Sequence, residues 1–293
     1  MPWLTDYCLL RILYWQMLTP ANMTQMTMAL IDPVTTSEHC TDKRDIAARF
    51  SAAAAQYDAL AGIQHAIADA ALVRLGEMAG KSVLDIGCGT GRNTAKLANH
   101  CAEVTGMDLA PGMVTQAQST YPTIAFLQGD AEQIPLQSGC VECVFSSMAL
   151  QWCDTPRQAI SEVFRVLAPG GRAELAIMVA GSFPELKSAA DKAGIQLALN
   201  TLTCATQWLA AVCESDWAGI SHDLVSYTDS FDNIRSLLKS INGVGAGSQT
   251  ESRTRARLTR GKLQALAAAF PESTAGLFNN TYHILHLSLE KPL

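Results

Sequence analysis

Short apolar runs alternate with longer amphipathic segments over most of this chain. The runs near 82–87, 103–108, 123–128, 141–147 and 171–179 are bounded by glycine, proline or polar clusters, which marks them as buried strands. Segments 91–101, 111–120 and 156–167 between them carry apolar residues at helical spacing. The alternation of strand and helix predicts a parallel sheet covered on both faces. Pro169-Gly170-Gly171 reads as a turn feeding the fifth strand. Upstream, Ile46, Phe50, Tyr57, Leu60, Ile63 and Ile67 recur among alanines and predict two helices between Asp45 and Met78. Downstream, helices are predicted near 184–199, 206–215, 231–242 and 259–270, with strands near 222–228 and 281–290. The expected fold class is α/β, a doubly wound and mostly parallel seven-stranded sheet with N-terminal helices and a helical cap inserted after strand five. The cap comprises about 184–216 and 231–270 of a domain running from 43 to 293. Residues 1–42 read as a disordered or non-native extension.

The chemistry concentrates at strand ends. Val83-Leu84-Asp85-Ile86-Gly87-Cys88-Gly89-Thr90-Gly91 is an apolar run ending in a glycine-dense turn that opens a helix. Its glycines let the backbone turn sharply and approach a ligand closely. The spacing is G-x-G-x-G, not the G-x-G-x-x-G of dinucleotide sites. Asp108 closes the second strand, where an acid can accept both ribose hydroxyls, with Leu109 beside it. Gly129-Asp130-Ala131 follows the third strand and places a further acid at a strand end. Ser146 and Ser147 end the fourth. Ligands of open α/β sheets sit outside such carboxyl ends. The ordered set resembles the motifs of class I, Rossmann-like S-adenosylmethionine (SAM) methyltransferases. That resemblance implies that Asp85, Gly87, Cys88 and Gly89 hold the methionine end of SAM. It places Asp108 at the ribose, Leu109 and Met113 beside the adenosine, Asp130 and Ala131 at adenine, and Ser147 at the strand end facing the cofactor.

Composition narrows the picture. The chain has 293 residues, 48% of them hydrophobic and 16% charged, which is enough apolar material for a large core. With 21 basic against 27 acidic residues its net charge is −6, so a general nucleic-acid binder is not expected. Nine scattered cysteines include Cys140 and Cys143 in a C-x-x-C, but no second ligand pair follows at zinc spacing, so no metal is expected. Free cysteines suit a reducing cytoplasm. The apolar run Tyr7–Leu18 is broken by Arg11 and too short to span a bilayer, so no membrane span is expected. A monomer is the simplest expectation.

A narrower resemblance covers about Lys43 to Lys291. Ala47-Ala48-Arg49-Phe50, Tyr57-Asp58 with Gln64, Leu150-Gln151-Trp152 and Gly181-Ser182-Phe183-Pro184-Glu185-Leu186 carry it, with Val244-Gly245-Ala246, Leu258-Thr259-Arg260 and Thr281-Tyr282-His283. These segments resemble the malonyl-acyl carrier protein O-methyltransferases of biotin synthesis. The implied reaction is SAM-dependent methylation of the free carboxylate of a malonyl thioester, on acyl carrier protein or coenzyme A, which masks a charge so that the chain can be elongated toward pimeloyl. The resemblance implies that Tyr57 is the tyrosine that closes over the methyl donor and that Gln151 and Trp152 line the acceptor pocket. A basic residue of the family falls here on Asn242, so Lys239, one helical turn earlier, is the alternative cation for the malonyl carboxylate. Arg253, Arg255, Arg257, Arg260 and Lys262 form a basic cluster that could steer an acidic carrier protein. Three rivals stay open: a small-molecule or quinone C-methyltransferase, a respiratory-complex assembly factor acting on a protein, and a cofactor-binding scaffold without turnover.

Overall fold

The computed structural model describes residues 42–197, 199–243, 259–271 and 276–293. The N-terminal segment through Thr41, and Arg253, Arg255 and Arg257 of the basic cluster, lie outside the described residues.

Asp42 caps the first helix, its carboxylate accepting the Arg44 N–H at 2.9 Å, so the fold begins one residue inside the expected extension. Helix α1 (Lys43–Ala53) runs through a short 3-10 turn into α2 (Tyr57–Leu60) and α3 (Gly62–Leu75). Two helices were expected there; the alanine-rich pattern does not show the break at 54–56. The doubly wound core follows as β1 (Ser82–Ile86), α4 (Arg92–Ala98), β2 (Glu103–Asp108), α5 (Pro111–Thr120), β3 (Ala125–Gln128), β4 (Val141–Ser147), α6 (Pro156–Val166) and β5 (Leu167–Met178). Then come α7 (Pro184–Ala193), α8 (Ala205–Val212), β6 (Gly219–Phe231), α9 (Ile234–Gly243), α10 (Arg260–Ala269) and β7 (Phe278–Glu290).

Among the described residues, seven strands form one sheet in the order β3-β2-β1-β4-β5-β7-β6. β1 to β5 pair in parallel, whereas β7 runs antiparallel to both β5 and β6. The chain winds outward from β1 to β3, then returns to lay β4 against β1. That reversal opens a crevice at the carboxyl ends of β1 and β4, where Ile86 pairs with Ser146. One sheet face is covered by α3, α7, α9 and α10 through Ile67, Leu186, Leu237 and Leu266. The other is covered by α6 and α8 through Ile160, Val163 and Trp208.

Three boundaries differ from the sequence pattern for physical reasons. Helix α7 stops at Ala193 instead of 199, because Gly194 takes the left-handed conformation (φ 63°) that ends helices. β6 is an edge strand with an alternating, largely exposed surface, so its apolar signal covers only the middle. β5 starts at Leu167, and the Pro169–Gly171 segment is absorbed by a register shift against β4.

Candidate active site

The glycine turn is fixed by its neighbours. The amides of Gly87 and Cys88 both donate to Met107 O, at 2.7 and 3.0 Å. Gly87 has φ +74°, and a Cβ there would lie 2.1 Å from the Ala149 Cβ, so only glycine fits. Gly89 (φ +56°) has no protein atom within 4 Å of an added Cβ; its open side belongs to a cleft of about 730 Å³, part of it open to solvent. The cleft brings together predicted residues from five segments: Gly87 and Gly89, Asp108 with Leu109, Met113, Asp130 with Ala131, and Ser147. The N-terminal helices close it with Lys43, Ile46, Phe50 and Tyr57.

Asp108 uses both carboxylate oxygens on backbone amides, Oδ2 on Gly89 N at 2.9 Å and Oδ1 on Ala110 N at 2.8 Å. Each oxygen keeps acceptor capacity toward the cleft. Burial raises its pKa, opposed by these amides. Asp130 accepts the Glu132 amide on Oδ1 at 2.9 Å and faces Lys43 Nζ with Oδ2 at 2.6 Å; the same ammonium pairs with Glu132. Burial works against the charge on Lys43, but the two acids overcome it and hold its pKa above the ordinary value. Ser147 Oγ is buried in the cleft wall without a partner among the described residues.

Two predicted contacts fall behind the turn rather than in the cleft. Asp85 is 1% exposed and accepts the Thr94 hydroxyl at 2.6 Å. Burial pushes its pKa up to about 7 against the Thr94 bond. The Cys88 side chain packs with Val114, Ala117 and Phe126. Both side chains buttress the turn, and neither lines the cleft.

A second chamber of about 370 Å³ adjoins the first, and Phe50, Tyr57, Met148 and Trp152 belong to both walls. Gln64, Gln151, Met178, Phe183, Ile241 and Tyr282 complete it. Phe50 meets Trp152 edge-on at 5.5 Å, and Phe183 meets Tyr282 at 4.9 Å. Met148 (φ 57°) and Phe183 (φ 65°) hold left-handed backbone conformations unusual for such side chains. Burial, with Asp108 and Asp58 nearby, raises the Tyr57 pKa, so its hydroxyl stays protonated at neutral pH. Asp58 accepts the Thr90 hydroxyl at 2.9 Å and so ties α2 to the glycine turn.

Lys239 and Asn242 reach neither chamber. Helix α9 buries Ile234, Leu237 and Ile241. Lys239 lies two positions from Leu237 and from Ile241, roughly 200° around the helix, and is exposed. Asn242 is also exposed, with its Nδ2 donating to Leu238 O at 2.8 Å. Turning the apolar stripe inward turns Lys239 outward, and the structure brings neither of the expected malonyl-binding residues of α9 to a chamber wall. Arg260 and Lys262 sit exposed in the first turn of α10. Sequence reasoning missed Lys43 and Met148, for which it carries no signal, and gave no role to Gln64 or Tyr282.

Strand order, one antiparallel inner strand and a cleft at the switch point define a class I, Rossmann-like methyltransferase. A family model described as a methyltransferase domain matches residues 84–175. Phosphoethanolamine N-methyltransferase 2 of Haemonchus contortus, solved with S-adenosyl-L-methionine, shares the fold at a TM-score of 0.53 and 17% identity, over 85% of this chain and 57% of that one. Malonyl-[acyl-carrier protein] O-methyltransferase of Serratia marcescens is 32% identical over 255 residues, 86% of this chain and 98% of the relative. The enzyme of that name from Pseudescherichia vulneris is 36% identical over 231 residues, 79% and 91% of the two chains. The chain belongs to the malonyl-[acyl-carrier protein] O-methyltransferase family.

Proposed function

We propose that this protein transfers the methyl group of SAM to the free carboxylate of malonyl-acyl carrier protein, forming the methyl ester that starts pimeloyl synthesis for biotin. The observation that carries this reading is the shared wall. Tyr57 and Trp152 line both a cleft of cofactor size and the aromatic chamber beside it.

The cleft fits SAM on its own terms. The space beside Gly89 is free for a close approach, Asp108 offers two acceptor oxygens, and the orphaned Ser147 hydroxyl awaits a partner. In our reading Gly87, Gly89 and Ser147 receive the amino-acid end, with Asp85 and Cys88 acting from behind the turn. Asp108 takes the ribose, and Leu109, Met113, Asp130 and Ala131 surround the base. SAM supplies an electrophilic methyl on a sulfonium.

The acceptor side needs no general base. A carboxylate of pKa about 4 is already ionised at neutral pH. No Lys, Arg or His is among the described residues lining the acceptor chamber. What the chain contributes is alignment and dryness. The Tyr57 hydroxyl, kept protonated by burial, donates to the carboxylate and turns one oxygen toward the methyl group. Phe50 and Trp152 exclude water from the junction. Arg260 and Lys262, with the other arginines of the cluster, attract the acidic carrier protein. We place the reaction in the cytoplasm; among the described residues no helix is long and apolar enough to cross a membrane.

The test is incubation with SAM and malonyl-, succinyl- and acetyl-carrier protein, read by intact mass. One methyl is expected on the malonyl form and none on the acetyl form. An unmodified malonyl form would refute the reading.

A further inference from the structure

Gln151 is buried at 8% exposure, yet one of its two amide ends has no partner. Nε2 donates to Met148 O at 2.7 Å. Exchanging the amide ends would set Oε1 against that carbonyl oxygen, so the bond fixes the orientation. The carbonyl itself is held in place: Met148 has φ 57° and its N–H donates to Ala176 O at 2.8 Å. Oε1 is therefore left buried and without a partner among the described residues, on a side chain that lines the acceptor chamber. Gln64 lines the same chamber and its Oε1 also lacks a partner among the described residues; of the two amides, it is that of Gln151 whose ends are told apart by a bond. A buried acceptor held in this way asks for a donor.

A carboxylate has only acceptors, so it cannot satisfy the Gln151 oxygen. It belongs at the Tyr57 end, where a hydroxyl can donate. The part of an acyl thioester that carries a donor is the first amide of a cysteamine-type arm, attached two methylenes beyond the sulfur. We propose that Gln151 reads this arm, its Oε1 accepting the amide N–H, and that Gln64 supports the same recognition. This assignment rests on the malonyl-thioester reading above. It makes Gln151 a specificity residue for the carrier rather than for the carboxylate. The arm is common to carrier protein and coenzyme A, so the contact selects amide-bearing thioesters over others without choosing between the two.

The experiment compares two small acceptors that differ at one position. One is the malonyl thioester of N-acetylcysteamine. The other is the malonyl thioester of 2-acetoxyethanethiol, in which an ester oxygen replaces the amide N–H. kcat/KM is measured for the wild type and for Gln151→Met, and binding of both acceptors is measured by calorimetry with S-adenosylhomocysteine present. The wild type is expected to favour the amide acceptor at least about tenfold, mainly through KM, because a site built around a hydrogen bond rejects the analogue lacking it. In Gln151→Met the amide-to-ester ratio falls below about threefold, and that ratio is the readout whatever the variant's rate on either acceptor alone. Should the methionine variant not fold, Gln151→Leu is read by the same ratio. Equal use of the two acceptors by the wild type overturns the proposal, as does a preference that survives in the folded variant. Failure to methylate either acceptor, with the carrier-protein substrate also untouched, overturns the functional reading itself.

Discussion

Lys43 at the start of the first helix holds Asp130, 87 residues away, with Nζ 2.6 Å from Oδ2. Glu132 shares the ammonium, and its carboxylate also accepts the amides of Asp154 and Thr155 at 3.0 and 2.7 Å. The N-terminal helix is thereby fastened across the cleft to the loop that follows β3. In Lys43→Met that tie is lost. A half-buried ion pair is worth about 1 kcal/mol, so SAM should dissociate roughly fivefold faster. Amide exchange across Lys43–Ala53 should rise as well. Unchanged exchange and unchanged dissociation would show that the pair does not hold the helix down.

In the proposed reading Asp108 takes the ribose and carries a larger share of cofactor binding. Removing it would take away those acceptors and also the partners of Gly89 N and Ala110 N. Asp108→Ala should weaken SAM binding by about 1.5–3 kcal/mol, measured by calorimetry. An unchanged affinity would remove Asp108 from the site.

Asp85 gives a pH signature. Its pKa rises from an ordinary 3.8 to about 7 on folding, chiefly through burial. Between those values the folded protein keeps a proton that the unfolded chain releases, so this group's contribution falls as pH rises through the window and is flat above it. The full difference is an upper bound of about 4 kcal/mol. Asp85→Asn, which stays neutral, should therefore gain stability relative to the wild type between pH 5 and 7 in the absence of cofactor. Denaturant melts at a series of pH values measure the gap. A gap that narrows over that range contradicts a raised pKa.

Lys239 should be dispensable. It is exposed on the outer side of α9, and surface changes of this kind stay within about 0.5 kcal/mol. Lys239→Ala should keep the malonyl-thioester KM within about twofold. A KM raised tenfold or more would bring α9 back into substrate recognition.

The inner strands β1, β4 and β5 were legible because each carries a compact apolar run, and burial on both faces demands that pattern. The cofactor cleft was legible for a related reason: its glycines and acids stand at strand ends, so their positions follow from the strands. The edge strand β6 was only half visible, since half of its side chains meet solvent. Lys43 could not be paired with Asp130 from sequence, because nothing local marks a contact across 87 residues. The orientation of α9 was recoverable. Ile234, Leu237 and Ile241 form its apolar stripe, and that stripe already assigns Lys239 to the far side. Gln151 was placed in the acceptor wall, but its orphaned oxygen depends on the Met148 backbone, which no local pattern announces.

The central claim is that a carboxylate oxygen is the nucleophile, and the position of the new methyl group tests it most directly. The enzyme is given carbon-13-methyl SAM and the malonyl thioester, and the product is examined by NMR. The account predicts that the label appears only as an oxygen-bound methyl ester and is lost on ester hydrolysis. Label on the malonyl carbon, or on the protein partner instead of its acyl group, would contradict it.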